Sequence, residues 1–494
     1  MKKAALSRTG PELCIDRAGH WVRNSAPFNP PTPMNPVLAA DLAGIDRLLT
    51  LVRDEALRGL HGLDRRAAAV AFTPPPSLPL PARGKGIEGA LAAFAERWEP
   101  GFSGSAGPRY LGFVTGGATP AALAGDWLAA VYDQNPAAGI DSGAPDLERE
   151  SLGWLRELFG LGTAQQGAFV SGATLSNFVG LALGREWLGE RKGIRVAEAG
   201  VAALGPVRVL SGAPHSSIYK ALSMLGIGRN AVQLVPKQPG REAVDLAQLT
   251  AALEQLGGEP CIVVANAGTV NTVDFDDLAA IAALRERYPF WLHVDAAFGA
   301  FAALSPPHAH LTAGIELADS VCVDLHKWLN VPYDSAVQFT RHRNLQVRVF
   351  QNAAAYLGLP GDNPDFVHLT PENSRRLRAL AAWFSLNAYG REGHAEIVQR
   401  NIAYAHDLGE RIGKEPRLRL LAPVRMNVVC FTLAQDANEA RVQALVRGLR
   451  DAGEVFMTPS IYEGSWCLRA AFSNWRTTHE DVERVMRALV AVLP

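Results

Sequence analysis

Helical windows alternate with short apolar runs rich in β-branched residues from about Pro120 onward, and this alternation limits the folds open to the chain. The runs are continuous, which is typical of strands buried on both faces, and the windows between them are long enough to cross over a sheet. The sequence therefore predicts an α/β domain with a mostly parallel sheet. The predicted strands lie near residues 207–210, 232–235, 261–265, 290–294, 320–323 and 336–339, and helices lie near residues 147–159, 174–189 and 375–389.

The N-terminal region has a different pattern. Proline-dense stretches at residues 27–36 and 74–81 bracket a segment, residues 36–63, whose leucines recur at helical spacing. A helical arm of this size buries little surface by itself. We therefore expect it to pack on a larger body or on a second subunit.

The C-terminal region changes pattern again, because its helices and strands are interleaved in a way typical of a small α+β domain. We therefore predict three parts: an N-terminal arm over residues 1–118, a large α/β domain over 119–384 and a small α+β domain over 385–494. Within the last part, the predicted helices lie near residues 394–412, 439–451 and 479–492, and the strands near 427–433 and 466–472.

Composition excludes several classes of function. The 494 residues include 48 Lys and Arg against 49 Asp and Glu, so no polybasic surface is expected and nucleic acid is not an expected partner. The five cysteines are scattered without zinc-type spacing, which predicts free thiols and no metal site. No window approaches the roughly 18 apolar residues that span a membrane, and the N-terminus lacks a secretory pattern. We expect a cytoplasmic protein without membrane contact.

Two predicted strands lead into charged residues. Asp295 closes the run Phe-Trp-Leu-His-Val-Asp, and Lys327 follows Ser-Val-Cys-Val and Asp324. Ligands of open α/β sheets bind outside the carboxyl ends of the strands, where we expect both side chains. Taken alone, Lys327 fits a solvated loop lysine, and Asp295 fits an acid that caps the next helix. Together they provide a Schiff-base amine and an acid that keeps a pyridine nitrogen protonated, the minimum that pyridoxal phosphate requires.

A turn of small residues opens a predicted helix and supplies a phosphate site. It comprises Ser171, Gly172, Ala173 and Thr174. Backbone N–H groups and the positive end of the helix dipole would hold a dianion there, with the hydroxyl groups of Thr174 and Ser171 as further donors. Many such turns only cap helices, so the turn is informative because it accompanies the lysine and the acid.

Seven short segments recur in a known family in the same order. They are residues 108–110 (Pro-Arg-Tyr), 124–128 (Ala-Gly-Asp-Trp-Leu), 171–174, 214–217 (Pro-His-Ser-Ser), 293–297 (His-Val-Asp-Ala-Ala), 324–328 (Asp-Leu-His-Lys-Trp) and 375–380 (Arg-Arg-Leu-Arg-Ala-Leu). The chain resembles the pyridoxal-phosphate-dependent group II amino-acid decarboxylases, which include aromatic-amino-acid and glutamate decarboxylases. The resemblance implies the aspartate-aminotransferase-like fold of type I pyridoxal-phosphate enzymes, an amino-acid substrate and a homodimer with a shared active site.

The resemblance also implies a role for each matching residue. Lys327 would form the Schiff base with the cofactor, Asp295 would pair with its pyridine nitrogen, and His215 would stack over its ring. Ala297 would pack on the opposite face of the ring. The residues implied around the phosphate are Ser171, Gly172, Ala173, Thr174 and His326.

Two further residues match positions that bear on the reaction. Tyr356 follows the Schiff-base lysine at the distance of the family's mobile-loop tyrosine, which implies that it protonates the α-carbon after carbon dioxide leaves. Arg469 matches an arginine of the terminal domain that can hold the substrate carboxylate through its guanidinium fork.

Three positions depart from the family pattern. Phe113 stands in Leu-Gly-Phe where glutamate decarboxylases carry an Asn-Gln pair, which favours an apolar or aromatic substrate. Thr269 is followed by Val where the family often has Gly-Thr-Thr, so the partner of the cofactor's phenolic oxygen stays open. Asp324 replaces a common Asn, and an acid near a phosphate must point away or be compensated by positive charge.

The leading hypothesis is α-decarboxylation of an L-amino acid to an amine and carbon dioxide. Other reactions on the same scaffold stay open: decarboxylation to an aldehyde, transamination and carbon–carbon bond formation. A nucleotide-dependent oxidoreductase is a remote alternative because the chain has neither Gly-x-Gly-x-x-Gly after a strand nor a P-loop. A non-catalytic scaffold would not need Lys327, Asp295 and His215 together.

Overall fold

The computed structural model describes residues 13–15, 21–23, 34–352, 361 and 363–493. The chain divides into two compact units, the first comprising residues 1–61 and 73–100 and the second residues 62–72 and 101–494. None of the helices in the described residues is long and apolar enough to cross a membrane. The predicted boundaries at residues 118 and 384 stay a prediction.

The first unit holds a short hairpin and three helices. Its antiparallel strands are β1 (Leu13–Ile15) and β2 (Trp21–Arg23), and its helices are α1 (Pro36–Ala43), α2 (Ile45–His61) and α3 (Gly86–Arg97). Asn35 begins α1, since its side chain accepts hydrogen bonds from the first N–H groups of the helix. The helical arm predicted over residues 36–63 is therefore present, but Gly44 divides it into two helices.

The second unit is built on a seven-stranded sheet of order β3-β9-β8-β7-β6-β4-β5. Strand β9 runs antiparallel to both of its neighbours, β3 and β8, and the remaining strand pairs of this sheet are parallel. The predicted α/β domain with a mostly parallel sheet is confirmed. The strands are β3 (Gln166–Val170), β4 (Val209–Ser211), β5 (Val232–Leu234), β6 (Cys261–Asn266), β7 (Phe290–Asp295), β8 (Ser320–Val323) and β9 (Ala336–Thr340).

Helices cover the sheet and separate its strands in the sequence. Most strand residues are fully buried, as the continuous apolar runs require. The helices are α4 (Pro120–Tyr132), α5 (Ala144–Leu158), α6 (Ala173–Arg191), α7 (Val196–Ala199), α8 (Ser216–Met224), α9 (Leu246–Gln255), α10 (Leu278–Ala283), α11 (Leu325–Trp328) and α12 (Arg343–Phe350).

Helix α6 lies unusually close to strand β7 because two glycines face the strand. A Cβ atom at Gly180 would stand 2.7 Å from the ring of His293, and one at Gly184 would stand 2.9 Å from the ring of Trp291. Any side chain at these positions would push the helix away. Asn177 lies one turn before Gly180 on the same helical face, so the close approach carries its amide to the end of β7.

A second, antiparallel sheet of order β10-β11-β13-β12 lies toward the C-terminus. Gly390 interrupts the longest helix with a non-helical backbone, where the sequence predicted two helices. Thr478 and Asp481 form a capping box that begins the last helix. These elements are α13 (Ala379–Lys414), β10 (Leu418–Leu420), β11 (Val428–Leu433), α14 (Glu439–Ala452), β12 (Thr458–Tyr462), β13 (Ser465–Ala471) and α15 (His479–Val492).

Early residues of the second unit complete this C-terminal part. The N–H of Ala68 donates to the carbonyl of Gly453 at 2.7 Å. The buried Arg109 donates through Nη1 to Asp481 at 2.7 Å and through Nη2 to the carbonyl of Asp64. Segments separated by more than 350 residues in the sequence therefore form one packed body.

Candidate active site

The carboxyl ends of the parallel strands surround a cavity of about 520 Å³. Its walls include eight of the predicted site residues: Phe113, Ser171, Gly172, Ala173, Thr174, His215, His326 and Lys327. Leu175, Ser217, Lys220, Met224 and Asp324 also line it. The structure therefore brings together the lysine, the small-residue turn and the histidine that the sequence placed far apart.

Lys327 lies on α11, directly after strand β8. Its Nζ is 3.3 Å from Asp324 Oδ2 and 5.4 Å from the centre of the Phe298 ring. His326 Nε2 lies 3.2 Å from the other oxygen of Asp324. Burial alone would raise the pKa of Asp324, but the positive charge of Lys327 and the contact with His326 together lower it. The acid that departs from the family pattern is thus compensated by positive charge.

The small-residue turn forms the start of α6, as predicted. Gly172 is extended, and the N–H groups of Leu175 and Ser176 return to its carbonyl. Ala173 and Thr174 are the first helical residues. Their N–H groups have no acceptor within the helix because no helical carbonyl group precedes them. They open onto the same cavity as Lys327, so the helix presents free donors and its positive end to an anion.

Asp295 ends strand β7 with a carboxylate that is 6% exposed. Its Oδ1 accepts the N–H of Ala297 at 3.2 Å, and its Oδ2 accepts Asn177 Nδ2 at 3.0 Å. Because a carboxylate only accepts hydrogen bonds, Asn177 must turn its NH₂ group toward Asp295 and its Oδ1 away. The orientation of the amide is therefore set by the acid.

This orientation determines the proton position on His293, the histidine buried within β7. Asn177 Oδ1 is an acceptor, so His293 Nε2, 2.9 Å away, must carry a proton. Burial lowers the pKa of His293 to about 4, so the ring is neutral and its Nδ1 accepts from Ser320 Oγ at 2.8 Å. The same serine oxygen accepts the indole N–H of Trp291 at 3.1 Å.

The other branch of the network reaches His215. Asn177 Nδ2 also donates to Ser217 Oγ at 3.0 Å, which leaves the Ser217 hydroxyl proton free to point to His215 Nδ1 at 2.8 Å. The Ser217 N–H donates to the same ring nitrogen at 3.3 Å. Desolvation, with the charges of Lys327 and Arg469, lowers the pKa of His215. The ring is thus neutral, with Nδ1 bare and the proton on Nε2.

Arg469 lies in the centre of the second sheet, on β13, and is 6% exposed. Its Nη2 donates to the carbonyl of Phe113 at 3.5 Å, while its Nε is buried without a hydrogen-bond partner among the described residues. Burial lowers its pKa. The guanidinium has unused donors, which suits a carboxylate ligand.

The cavity lining does not include Asp295, Arg469, Ala297 or Thr269. Ala297 is fixed beside Asp295 by its N–H. Thr269 lies in the turn after β6, where its hydroxyl donates to Glu242 Oε2 at 2.6 Å. That proton is therefore not available to a phenolic oxygen. Tyr356 lies outside the described residues.

Two residues at the site, Asn177 and Lys220, were not predicted from the sequence. Asn177 connects Asp295 to His215, and Lys220 on α8 lines the cavity. The signal for Asn177 was the polar pair Ser-Asn within an apolar, small-residue helix, because a buried amide needs partners. Lys220 gave no such signal, since a lysine on a helix is usually solvated.

The chemical groups at the cavity suit pyridoxal phosphate. It combines an amine on Lys327, free N–H groups at a helix start and a neutral histidine. Asp295 is connected to that histidine through Asn177 and Ser217. Residues 171–174 would hold the phosphate, Lys327 the aldehyde carbon and Asp295 the pyridine nitrogen.

Comparisons with known proteins agree with this assignment. Residues 87–434 match the pyridoxal-dependent decarboxylase conserved domain. The aromatic-L-amino-acid decarboxylase of Bacillus atrophaeus is 26% identical over 399 residues, which are 78% of this chain and 81% of that protein. The aromatic-L-amino-acid decarboxylase of Drosophila melanogaster is 32% identical over 274 residues, 54% of this chain and about half (52%) of that protein.

Solved structures show the same fold. The Oryza sativa protein TDC, solved with PLP and tryptamine, superimposes with a TM-score of 0.85 at 21% identity. The superposition covers 94% of this chain and 99% of that one. The predicted fold class is therefore confirmed by comparison as well as by the sheet order.

The hydrogen-bond network predicts a specific effect of Asn177→Leu, which keeps the side-chain volume but removes every polar contact. Asp295 loses a donor and His293 an acceptor, so we expect a loss of ~1–3 kcal/mol in unfolding free energy. We also expect the pH dependence of the bound cofactor's absorbance to change, since the donor beside Asp295 is gone. Denaturant unfolding and absorbance titration measure the two effects.

Asn344→Leu, at an exposed position on α12, is the matched control and should alter neither quantity. If Asn177→Leu titrates like the parent protein, Asn177 only fills space.

Proposed function

The chain belongs to the pyridoxal-dependent decarboxylase family, and from that premise we propose that it removes the α-carboxyl group of an L-amino acid with an apolar or aromatic side chain. Its cofactor is pyridoxal phosphate. The proposal rests on one observation: the same cavity is lined by Lys327, His215, the turn at residues 171–174 and Phe113. Substrate amine, cofactor and substrate side chain would all meet there.

The cofactor supplies an electron-withdrawing ring conjugated to the α-carbon, which lowers the barrier to loss of carbon dioxide. The chain's own residues would hold it. Lys327 would bind its aldehyde carbon, and the start of α6 would orient the phosphate. Asp295 would keep a proton on the pyridine nitrogen, while Asn177 and Ala297 hold that carboxylate in place. His215 presents a neutral ring with its proton on Nε2.

Aromatic residues support an apolar substrate. The rings of Tyr110 and Phe456 are 4.8 Å apart, and those of Phe113 and Phe456 are 5.9 Å apart. Phe113 is 63% exposed and has a left-handed backbone (φ 63°), a conformation that is uncommon for a bulky residue. Gly112 allows this arrangement, because a Cβ there would stand 2.3 Å from the Phe456 ring.

Arg469 would bind the substrate carboxylate. It has unused donors and no carboxylate partner within the described residues. A guanidinium stabilises the carboxylate before the reaction and gains nothing once carbon dioxide leaves. Its contribution therefore belongs to substrate affinity more than to the chemical step.

Decarboxylation to an amine is preferred over the other reactions because the sequence retains Tyr356. A phenol that protonates the α-carbon gives the amine, whereas its absence leaves the carbanion open to oxygen and gives an aldehyde. Transamination and carbon–carbon bond formation need no such acid at this position.

The proposal predicts that Lys327→Ala abolishes decarboxylation. We expect release of carbon dioxide from L-amino acids to fall at least about a thousandfold, and the visible absorbance band that borohydride bleaches to disappear. A screen of the common L-amino acids by mass spectrometry identifies the product amine. Lys414→Ala, at an exposed position on α13, should behave as the parent. Retained turnover in Lys327→Ala would refute the assignment.

Tyr356→Phe keeps the ring and removes the acid. We expect the variant to release carbon dioxide from the preferred substrate but to form aldehyde and ammonia in place of amine, with consumption of oxygen. An oxygen electrode and product analysis measure both. Tyr132→Phe, at an exposed position on α4, is the control. Amine formation at the parental rate would assign the proton to another donor, with His215 the next to test.

We propose further that the chain is a cytoplasmic homodimer with a shared active site. Support for the dimer comes from the first unit, whose helices expose Leu38, Leu42 and Leu49, because exposed apolar faces favour association. Deletion of the residues before Leu63 should give insoluble or inactive protein. Sedimentation of the full chain at micromolar concentration should give twice the chain mass, and a soluble, active monomer would contradict the proposal.

A further inference from the structure

A second cavity, of about 390 Å³, lies at the opposite end of the sheet from Lys327. The residues before and at the start of β3 line it, whereas Ser171 follows the last residue of that strand. A five-residue strand spans roughly 16 Å, so the two cavities are separate. The second cavity contains three arginines, namely Arg149 and Arg156 from α5 and Arg343 from α12.

These arginines outnumber their acidic partners. Within the described part of the chain, Arg343 donates only to neutral oxygens, those of Gln166 at 2.7 Å, Gln346 at 3.1 Å and Gly167 at 3.4 Å. Arg156 makes one long contact, to a carbonyl at 3.5 Å.

Arg149 alone is compensated, by Asp146 at 2.8 Å and Asp365 at 3.7 Å. Among the residues that the structure describes, two guanidinium groups in this cavity therefore have no carboxylate partner.

The arrangement is costly without a counter-ion. Arg149 and Arg156 are seven residues apart on one helix and thus share a face, and all three arginines are half-buried. Burial and the nearby charge of Arg149 lower the pKa of Arg343 to about 10, so the group is still charged near neutral pH. Half-buried like charges are stabilised by an anion that they enclose.

We propose that this cavity binds a small multivalent oxyanion of the phosphate type. Guanidinium forks match the oxygen geometry of phosphate and donate two hydrogen bonds at once. No Asp or Glu lines the described wall of the cavity to repel an anion. Gly153 faces the cavity with no atom within 4 Å of where its Cβ would be, which leaves room for the ligand. The site is independent of the cofactor's phosphate.

The test uses holoenzyme in which borohydride has fixed the cofactor and free cofactor has been removed, so the first phosphate site is filled. Isothermal titration with inorganic phosphate and with pyrophosphate in chloride buffer should give one site with a Kd of about 1 mM or lower. Arg343→Gln and Arg156→Gln should each weaken binding about tenfold or more. Arg447→Gln, at an exposed position on α14, should bind as the parent does.

Gly153→Leu distinguishes anion binding inside this cavity from nonspecific attraction of anions by the positive charge of the arginines. It places an isobutyl group in the cavity without changing any charge, and a leucine in a helix interior costs no stability relative to glycine. We expect it to abolish binding while the circular dichroism spectrum stays that of the parent. Absence of binding by the parent protein, or unchanged binding by Arg343→Gln and Gly153→Leu, would overturn the proposal.

Discussion

A carboxylate buried at the end of the central strand determines how the rest of the site is arranged. Asp295 accepts hydrogen bonds and donates none, so it must be supplied with donors inside the protein. Asn177 supplies one only because Gly180 and Gly184 let α6 approach β7. The same helix begins at the small-residue turn. One close helix–strand contact thus sets both the environment of the acid and the position of the phosphate site.

The acids at the site are balanced in different ways. Asp324 lies beside the ammonium group of Lys327 and the ring of His326. Asp295 has neutral donors, which leaves its charge free to act on a ligand. Arg469 forms no ion pair with a carboxylate among the described residues, so its charge too is available to a ligand. The site therefore keeps one negative and one positive group uncompensated, as expected for binding a pyridine nitrogen and a carboxylate.

The sequence predicted the fold well where apolar runs were continuous, because burial on both faces leaves a plain pattern. Strands β4 to β9 appear within a few residues of their predicted positions. Strand β3 was missed, since its run opens with Gln-Gly and only the three residues Ala-Phe-Val form a continuous apolar stretch. Gly44 divides a predicted helix for a local backbone reason that helical periodicity does not register. The break at Gly390 instead lies between two helices that the sequence predicted.

The sequence predicted those site residues whose side chain or backbone has a chemical role by itself. Lys327, His215 and the turn at residues 171–174 meet in one cavity, as expected. Partnerships across the fold were not predictable. The pairing of Thr269 with Glu242 depends on two segments 27 residues apart in the sequence that meet only after folding. The role of Asn177 depends on the packing of a helix on a strand.

The hydrogen bond between Ala68 and Gly453 sets an order of events during synthesis. Ala68 leaves the ribosome long before its partner exists, and Arg109 likewise waits for Asp481. The seven-stranded sheet ends at residue 340 and can form while these early segments are still unpaired. The C-terminal sheet can complete the body only after these partners have emerged, so the last contacts of the early segments are non-local ones.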